Sequence, residues 1–188
     1  GNNATIVRAI GASAFRIFFI TDTGSLTIND LTLINGFADP SLPGGGGSAW
    51  PGSGGAIYNS GSYLEVNGST LQANQAGAHG GAIFAISNAT TYIHSSAIHD
   101  NNAPSGGGIF VYHGGLLSVI ESEIYYNSAS NSGGGINVEH GAELIVDAST
   151  FTSNMAGRHG GGIFKDAGSD RLPTTITGTT FQDRKSVV

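Results

Sequence analysis

The stretch GGGIFVYHGGLLSVIESEIYYN, residues 106–127, decides the fold of this chain. Apolar residues alternate with other residues over short runs in it, as in Leu117-x-Val119, and this period of two is typical of half-buried β-strands. Gly and Asn stand between the runs, where they favour turns. The stretch therefore predicts short β-strands joined by tight turns, without helical periodicity.

The same pattern occurs five times, at intervals of 26 or 27 residues between GGAI or GGGI motifs. The Ile of each motif begins a first apolar column: Ile57, Ile83, Ile109, Ile136 and Ile163. A second apolar column follows: Val66, Ile93, Val119, Val146 and Ile176. Five residues later comes a third: Leu71, Ile98, Ile124, Phe151 and Phe181. A hydroxyl residue always precedes the third column by two: Ser69, Ser96, Ser122, Ser149 and Thr179.

An asparagine stands three residues after the third column in four repeats: Asn74, Asn101, Asn127 and Asn154. The fifth repeat has Arg184 at that position. Stacked turns would place these amides one above another, so that each side chain can bond the next. We therefore predict a structural asparagine ladder at one corner of the fold.

A repeat of this length suits one coil of a parallel β-helix, because a propeller blade needs about 40 residues. Each coil would lie about 4.8 Å from the next, with its three apolar columns facing inward and the Gly pairs at a corner with positive φ. The sequence thus predicts an all-β fold, a right-handed parallel β-helix of about six coils.

The repeat also divides the chain into segments. Residues 1–182 are expected to form a single β-helix domain. It would contain a less regular first coil in residues 1–35, a Gly- and Pro-rich loop insertion in residues 36–53, and five regular coils in residues 54–182. The last six residues, 183–188, break the pattern and are expected to be a tail foreign to the repeat. We expect the solenoid itself to be truncated at both ends.

The GG[AG]I motif followed by [LIF]-x-x-N, as in LQAN, IHDN, IYYN and FTSN, resembles the right-handed parallel β-helix of bacterial surface proteins. The likeness is greatest to polymorphic outer-membrane proteins and autotransporter passenger domains, and it covers about residues 54–181. The resemblance implies a secreted or cell-surface location, at the bacterial outer membrane. It does not imply any particular activity.

Charge and composition exclude several classes of protein. The chain has 7 basic and 13 acidic residues and a net charge of -6, which argues against nucleic acid as a partner. It contains no cysteine, so disulfides and thiolate metal sites are excluded. No apolar run approaches the roughly 18 residues of a transmembrane helix, so no transmembrane segment is expected.

Residues suited to catalysis do not fall into register. The acids occupy different offsets in their coils: Glu121 stands one residue before its hydroxyl column, and Asp147 stands two before. His113 and His140 share an offset on adjacent coils, but the neighbouring coils offer Ser87 and no third ligand. We therefore expect no catalytic residues, no cofactor and no metal.

One row of aromatic residues remains as a candidate contact surface. These residues follow their column Ile directly, so strand alternation turns them away from the inner core: Tyr58, Phe84, Phe110 and Phe164. Asn137 interrupts the row. The row would form a ligand-contact strip or, alternatively, pack under a neighbouring loop.

The leading functional hypothesis is a non-catalytic passenger that serves as an adhesin, spacer or binding scaffold. Its expected partners are a glycan or a surface protein of a host or neighbouring cell. The alternative is a fragment of a polysaccharide lyase or glycoside hydrolase whose catalytic coils lie outside this chain.

Overall fold

A computed structural model describes residues 3–41, 50–166, 168 and 172–185, the side chains of residues 184 and 185 excepted. Within these ranges all regular secondary structure is β, arranged as a parallel β-solenoid of about six turns. The described residues contain no helix that is long and apolar enough to cross a membrane. The predicted all-β, parallel β-helix class is confirmed.

Three parallel sheets run along the solenoid. Sheet I consists of β2 (Phe18–Ile20), β6 (Ile57–Ser60), β10 (Ile83–Ile86), β14 (Ile109–Tyr112), β18 (Ile136–Glu139) and β21 (Ile163–Lys165). Sheet II consists of β3 (Ser25–Asn29), β7 (Tyr63–Asn67), β11 (Thr90–His94), β15 (Leu116–Ile120), β19 (Glu143–Asp147) and β22 (Thr174–Thr177).

Sheet III has longer strands and a row of two-residue strands that join it at β20. Its longer strands are β1 (Ala4–Val7), β4 (Leu31–Ile34), β8 (Thr70–Gln72), β12 (Ala97–His99), β16 (Glu123–Tyr125), β20 (Thr150–Ala156) and β23 (Thr180–Lys185). The short ones are β5 (Phe37–Ala38), β9 (Gln75–Ala76), β13 (Asn102–Ala103) and β17 (Ser128–Ala129).

The register of the strands aligns the apolar columns that the sequence predicts. In sheet I, Ile83 lies opposite Ile57 and Ile109, and in sheet III, Ile98 lies opposite Leu71 and Ile124. Side chains of these columns in the central coils are completely buried and form one continuous core. Full burial of such a side chain stabilises the fold by about 1.5–3 kcal/mol, so the stacked columns supply most of the apolar stabilisation.

The two glycines of each pair in the repeat are required for different structural reasons. Gly106 adopts a φ of +61°, a conformation that residues with a Cβ rarely take. A Cβ on its neighbour Gly107 would lie 2.4 Å from the carbonyl oxygen of Gly134 in the next coil. The first glycine therefore makes the turn, and the second lets the backbones of successive coils approach each other.

Parallel strand pairing extends into both segments that the sequence predicts to be irregular, residues 36–53 and residues 183–188. Strand β5 pairs in parallel with β9, so the first coil extends into the segment predicted as the insertion 36–53. Residues 42–49 of that insertion lie outside the described residues. At the other end β23 pairs with β20 as far as Lys185, which places Asp183 in the last coil. Residues 186–188 of the predicted tail also lie outside the described residues.

Candidate ligand-binding face

The aromatic row of sheet I is covered. Tyr58, Phe84 and Phe110 point away from the inner core, but their exposed fractions are only 0%, 0% and 1%, and Phe164 is half-buried. The expectation of an exposed strip is therefore wrong for the three buried rings. They form a second apolar cluster outside the solenoid core, and no ligand can reach them in this arrangement.

Trp50 covers this cluster. Its ring centroid lies 6.1 Å from that of Phe84 and 4.7 Å from that of Tyr112. His79 packs edge-on against Trp50 at 5.3 Å and lies 4.5 Å from the Phe110 ring. Burial lowers the pKa of His79, and its Nδ1 atom is buried without a hydrogen-bond partner. The segment that carries Trp50 is thus packed onto sheet I.

The four column asparagines form a continuous hydrogen-bonded stack. The Nδ2 atom of Asn101 donates to Oδ1 of Asn127 at 2.9 Å, and the backbone N–H of Asn101 donates to the same oxygen at 3.1 Å. Nδ2 also donates to the carbonyl oxygen of Leu71 in the preceding coil, at 2.9 Å. The same three bonds recur at Asn127 and Asn154, and all four amides are at most 1% exposed.

The last coil continues this stack with Asp183 instead of an asparagine. Its Oδ1 accepts from the backbone N–H and from Nδ2 of Asn154, both at 2.9 Å. A register shift between Thr152 and Met155 moves the position by one residue relative to the simple count that pointed to Arg184. Asp183 has no amide N–H with which to donate to the preceding coil, and its Oδ2 is buried without a partner.

The hydroxyl column forms a second ladder, at the turn between sheets II and III. The backbone N–H of Ser96 donates to Oγ of Ser122 at 3.1 Å, and Ser122 repeats this bond to Ser149. Each hydroxyl then donates to the carbonyl oxygen two residues earlier, as Ser96 does to His94 at 2.7 Å. The constant Ser or Thr two residues before the third column was the sequence signal for this ladder, although its bonding was not anticipated.

The remaining candidate residues, the histidines and the acids, do not converge on a single site. His113 and His140 lie on exposed turns around Tyr112, whose ring centroid is 5.9 Å and 4.6 Å from theirs. Glu121 contacts Ser95 at 3.4 Å, whereas Asp147 accepts from Thr177 at 2.6 Å. Among the described residues no three His, Asp or Glu side chains converge in a way that could hold a metal ion.

The outer face of sheet II carries the best-defined exposed cluster. Its centre is Glu65 on β7, next to Tyr63 and Asn67 on the same strand, which all point outward because alternate residues share a face. On the adjacent strand β11, Tyr92 lies opposite Glu65 and His94 lies opposite Asn67. These five residues are named the tyrosine–glutamate cluster.

Three neighbours, Tyr63, Asn67 and, more weakly, Thr27, hold the Glu65 carboxylate in place. The Tyr63 hydroxyl donates to Oε2 at 3.0 Å, and Nδ2 of Asn67 donates to Oε1 at 3.1 Å. These bonds, that of Asn67 first, lower the pKa of Glu65, and the bond to Glu65 raises the pKa of Tyr63. The cluster therefore presents an oriented, ionised carboxylate at neutral pH.

Aromatic rings flank the carboxylate on its own strand and on the adjacent strand. The Tyr63 and Tyr92 ring centroids are 5.7 Å apart with a tilt of 50°, and the Tyr92 and His94 rings are stacked 5.9 Å apart at 15°. Tyr63 is 39% exposed, and Tyr92 and His94 are half-buried. Ring surface and polar atoms are thus accessible side by side.

The repeat pattern of the sequence does not predict this cluster, for a physical reason. The outward row through Glu65 consists of unlike residues in successive coils: Thr27, Glu65, Tyr92, Ser118 and Ile145. Only core and turn positions must repeat for the coils to stack, whereas an outward position varies freely. The sequence signal was the placement of Tyr63, Glu65 and Asn67 at alternate positions of one strand.

No protein-family model matches the chain, and comparisons with curated proteins and with solved structures also give no match. The fold is therefore established by the structure, and the likeness to outer-membrane and autotransporter passengers depends on the repeat motif alone.

Proposed function

We propose that the chain is a non-catalytic binding scaffold of the secreted or cell-surface class, in which the solenoid presents a ligand-binding face. The observation that carries this proposal is the tyrosine–glutamate cluster on sheet II, where Tyr63 and Asn67 orient the Glu65 carboxylate beside accessible rings. The cluster stands on two hydrogen-bonded strands of a continuous sheet. Such a support keeps the binding groups in place before a ligand arrives.

The protonation state of Glu65 argues against a role as a general acid. A general acid in glycoside cleavage needs a carboxyl pKa raised towards neutrality so that it carries a proton at working pH. The pKa of Glu65 is lowered instead, by hydrogen bonds from Asn67 and Tyr63. An ionised carboxylate with fixed orientation is suited to accept hydrogen bonds from a ligand.

The cell-surface part of the proposal is supported by the motif rather than by the site. Four coils carry the [LIF]-x-x-N sequence that resembles bacterial surface passengers, and the structure gives each Asn a buried place in the ladder. A solenoid of this kind displays long, regular faces, which suits an adhesin or a spacer.

Binding without turnover is the expected behaviour in solution. The protein would be run through gels that contain soluble polysaccharides, and the same polysaccharides would be assayed for new reducing ends and for unsaturated products after prolonged incubation. We expect retarded migration with at least one polysaccharide and no cleavage. Cleavage that disappears when a single acidic residue is replaced would overturn the proposal in favour of a polysaccharide-degrading enzyme.

A further inference from the structure

We infer that the tyrosine–glutamate cluster is a subsite for an uncharged glycan, bound across β7 and β11 on the outer face of sheet II. The inference rests on the proposed scaffold function and names its ligand class and contact residues. Three features of the face carry it: accessible aromatic rings, open hydrogen-bond acceptors and the sign of the surrounding charge.

The rings supply a platform for the apolar side of a sugar. A pyranose has one face of C–H groups and a periphery of hydroxyl groups, and tyrosine combines an apolar ring with a polar tip. Tyr63 and Tyr92 lie 5.7 Å apart on adjacent coils, and His94 stacks next to Tyr92 at 5.9 Å. Together they form a row of rings that more than one sugar unit can contact.

Polar groups beside the rings have unused capacity to accept hydrogen bonds. An ionised carboxylate has about four acceptor sites, and Glu65 receives bonds from Tyr63, Asn67 and Thr27, which leaves about one site for a ligand. Nδ2 of Asn67 donates both to Glu65 and, at 3.0 Å, to Oδ1 of Asn29. The Asn67 Oδ1 atom is therefore left to accept from a ligand. Hydroxyl groups of a glycan are donors that match these acceptors.

The charge of the face selects among glycans. The outward charged residues on the strands of sheet II are Glu65, Glu143 and Asp147, and none of these strands contains Lys or Arg. A uronate or a sulfated sugar would meet these like charges without a Lys or Arg partner on the same strands, which is unfavourable at contact distance. The face therefore disfavours acidic sugars, and its rings and hydrogen-bond acceptors are sufficient to bind an uncharged one.

Calorimetric titration of the whole chain tests the inference. The probes are cellohexaose, maltohexaose and mannohexaose as uncharged oligosaccharides, a galacturonic acid hexamer as the acidic arm, and a glucosamine hexamer as the cationic arm. We expect binding of at least one uncharged hexamer, and no binding of the acidic one.

Variants then locate the site. Glu65→Gln should weaken binding about tenfold or more, because it removes the charge that strengthens hydrogen bonds from the ligand. Tyr92→Leu should weaken binding by a similar factor, because it removes the ring surface that a sugar would contact. Tyr63→Phe keeps the ring and removes only the hydroxyl that holds Glu65, so it should weaken binding less. Melting curves would show that each variant remains folded.

Two matched controls lie on sheet III or at its edge. Glu123→Gln removes an exposed acid from β16, and Tyr126→Asn removes a tyrosine that is 59% exposed at a φ of 54°, which Asn adopts readily. Both should leave the affinity unchanged within about twofold. If these control variants lost as much affinity as Glu65→Gln and Tyr92→Leu, the assignment of the site would be contradicted.

The other outcomes separate the inference from the proposed function. Uncharged glycan binding that survives both Glu65→Gln and Tyr92→Leu overturns the inference and retains the scaffold. Absence of binding to every uncharged hexamer, or a preference for the acidic or cationic hexamer, also overturns the inference. Cleavage of any hexamer would overturn the proposed function itself.

Discussion

Asn127 joins its own coil to both neighbouring coils. It receives two hydrogen bonds from Asn101, donates through Nδ2 to the Ile98 carbonyl oxygen at 2.8 Å, and donates to Asn154 at 2.9 and 3.1 Å. Each of these groups is buried, so removal of the amide leaves donors and acceptors without partners. The ladder thus stabilises the stack through polar groups that the surrounding core shields from water.

Asn127→Ala should lower the free energy of unfolding by about 1–3 kcal/mol, because buried polar groups lose their partners. Denaturant melts of both proteins measure the difference. Asn102→Ala is the matched control, since Asn102 is exposed and contributes only a long side-chain bond of 3.4 Å to Ser128. Equal losses in the free energy of unfolding would show that an amide in the ladder stabilises the fold no more than an exposed amide does.

Asp183 gives a prediction with a defined pH dependence. In each preceding coil the asparagine Nδ2 donates to the third-column carbonyl of the coil before, whereas Asp183 Oδ2 has no partner. Burial raises the pKa of Asp183 above its ordinary value, so the folded chain binds this proton more tightly than the unfolded chain does. The protonated acid therefore stabilises the fold at low pH. This contribution is lost as pH rises through the folded pKa.

Asp183→Asn should stabilise the protein at neutral pH, because the amide supplies the missing donor. The gain over the wild type should shrink as pH falls below the raised pKa of Asp183. Urea melts at several pH values measure the difference between the two proteins. A difference that is independent of pH, or a destabilised variant, would contradict the position of Asp183 in the ladder.

Thr91 is the polar exception in the inner core. It occupies a position that Leu64 and Leu117 fill in the neighbouring coils, it has no exposed surface, and its hydroxyl has no hydrogen-bond partner. Thr91→Val keeps the shape and removes the unsatisfied group, so it should stabilise the fold by about 1 kcal/mol. Thr90→Val, on the half-exposed outer face, should change stability by less than about 0.5 kcal/mol. A destabilised Thr91→Val protein would indicate that the hydroxyl has a partner in solution.

At the scale of elements, the packing of the Trp50 segment on sheet I should respond to acid. Burial lowers the pKa of His79, so below the ordinary histidine pKa of about 6.5 the unfolded chain binds a proton that the folded chain resists. Stability contributed by this contact is therefore lost as pH falls from 6.5 towards the folded pKa.

Fluorescence of Trp50, the only tryptophan, reports this contact directly. We expect its emission to shift towards that of a water-exposed indole at mildly acidic pH, and the shift to disappear in His79→Phe. The control His113→Asn, at an exposed turn residue with a φ of 65°, should behave like the wild type. An acid shift that persists in His79→Phe would assign the change to another group.

Core elements of this fold were predictable from sequence, and the candidate binding face was not. Columns such as Ile83 and Ile98 repeat because stacked coils require the same inward residue, and the Asn spacing repeats because a ladder requires it. Burial of Phe84 and Phe110 was not predictable in the same way. Strand alternation shows only that these rings leave the inner core, whereas Phe84 is covered by Trp50 and Phe110 by His79, which are both distant in sequence.

At the scale of the whole molecule, one property governs both the stability and the proposed function: the register in which coils stack. Both ladders, the apolar columns and the tyrosine–glutamate cluster each need residues of successive coils to lie directly opposite one another. A slip by one residue would turn every side chain of a strand to the other face. It would bury Glu65 and separate the groups that form the cluster.

Disulfide trapping measures this register most directly, since the chain has no cysteine of its own. Asn67 and His94 lie opposite each other on adjacent strands, about 4.8 Å apart, within the usual span of a disulfide. Asn67→Cys combined with His94→Cys should form an intramolecular disulfide under mild oxidation. Asn67→Cys combined with Tyr92→Cys, offset by two residues on the same face, should not. A bond in the offset pair alone, or in neither pair, would contradict the stacking of the coils on which the ladders and the tyrosine–glutamate cluster depend.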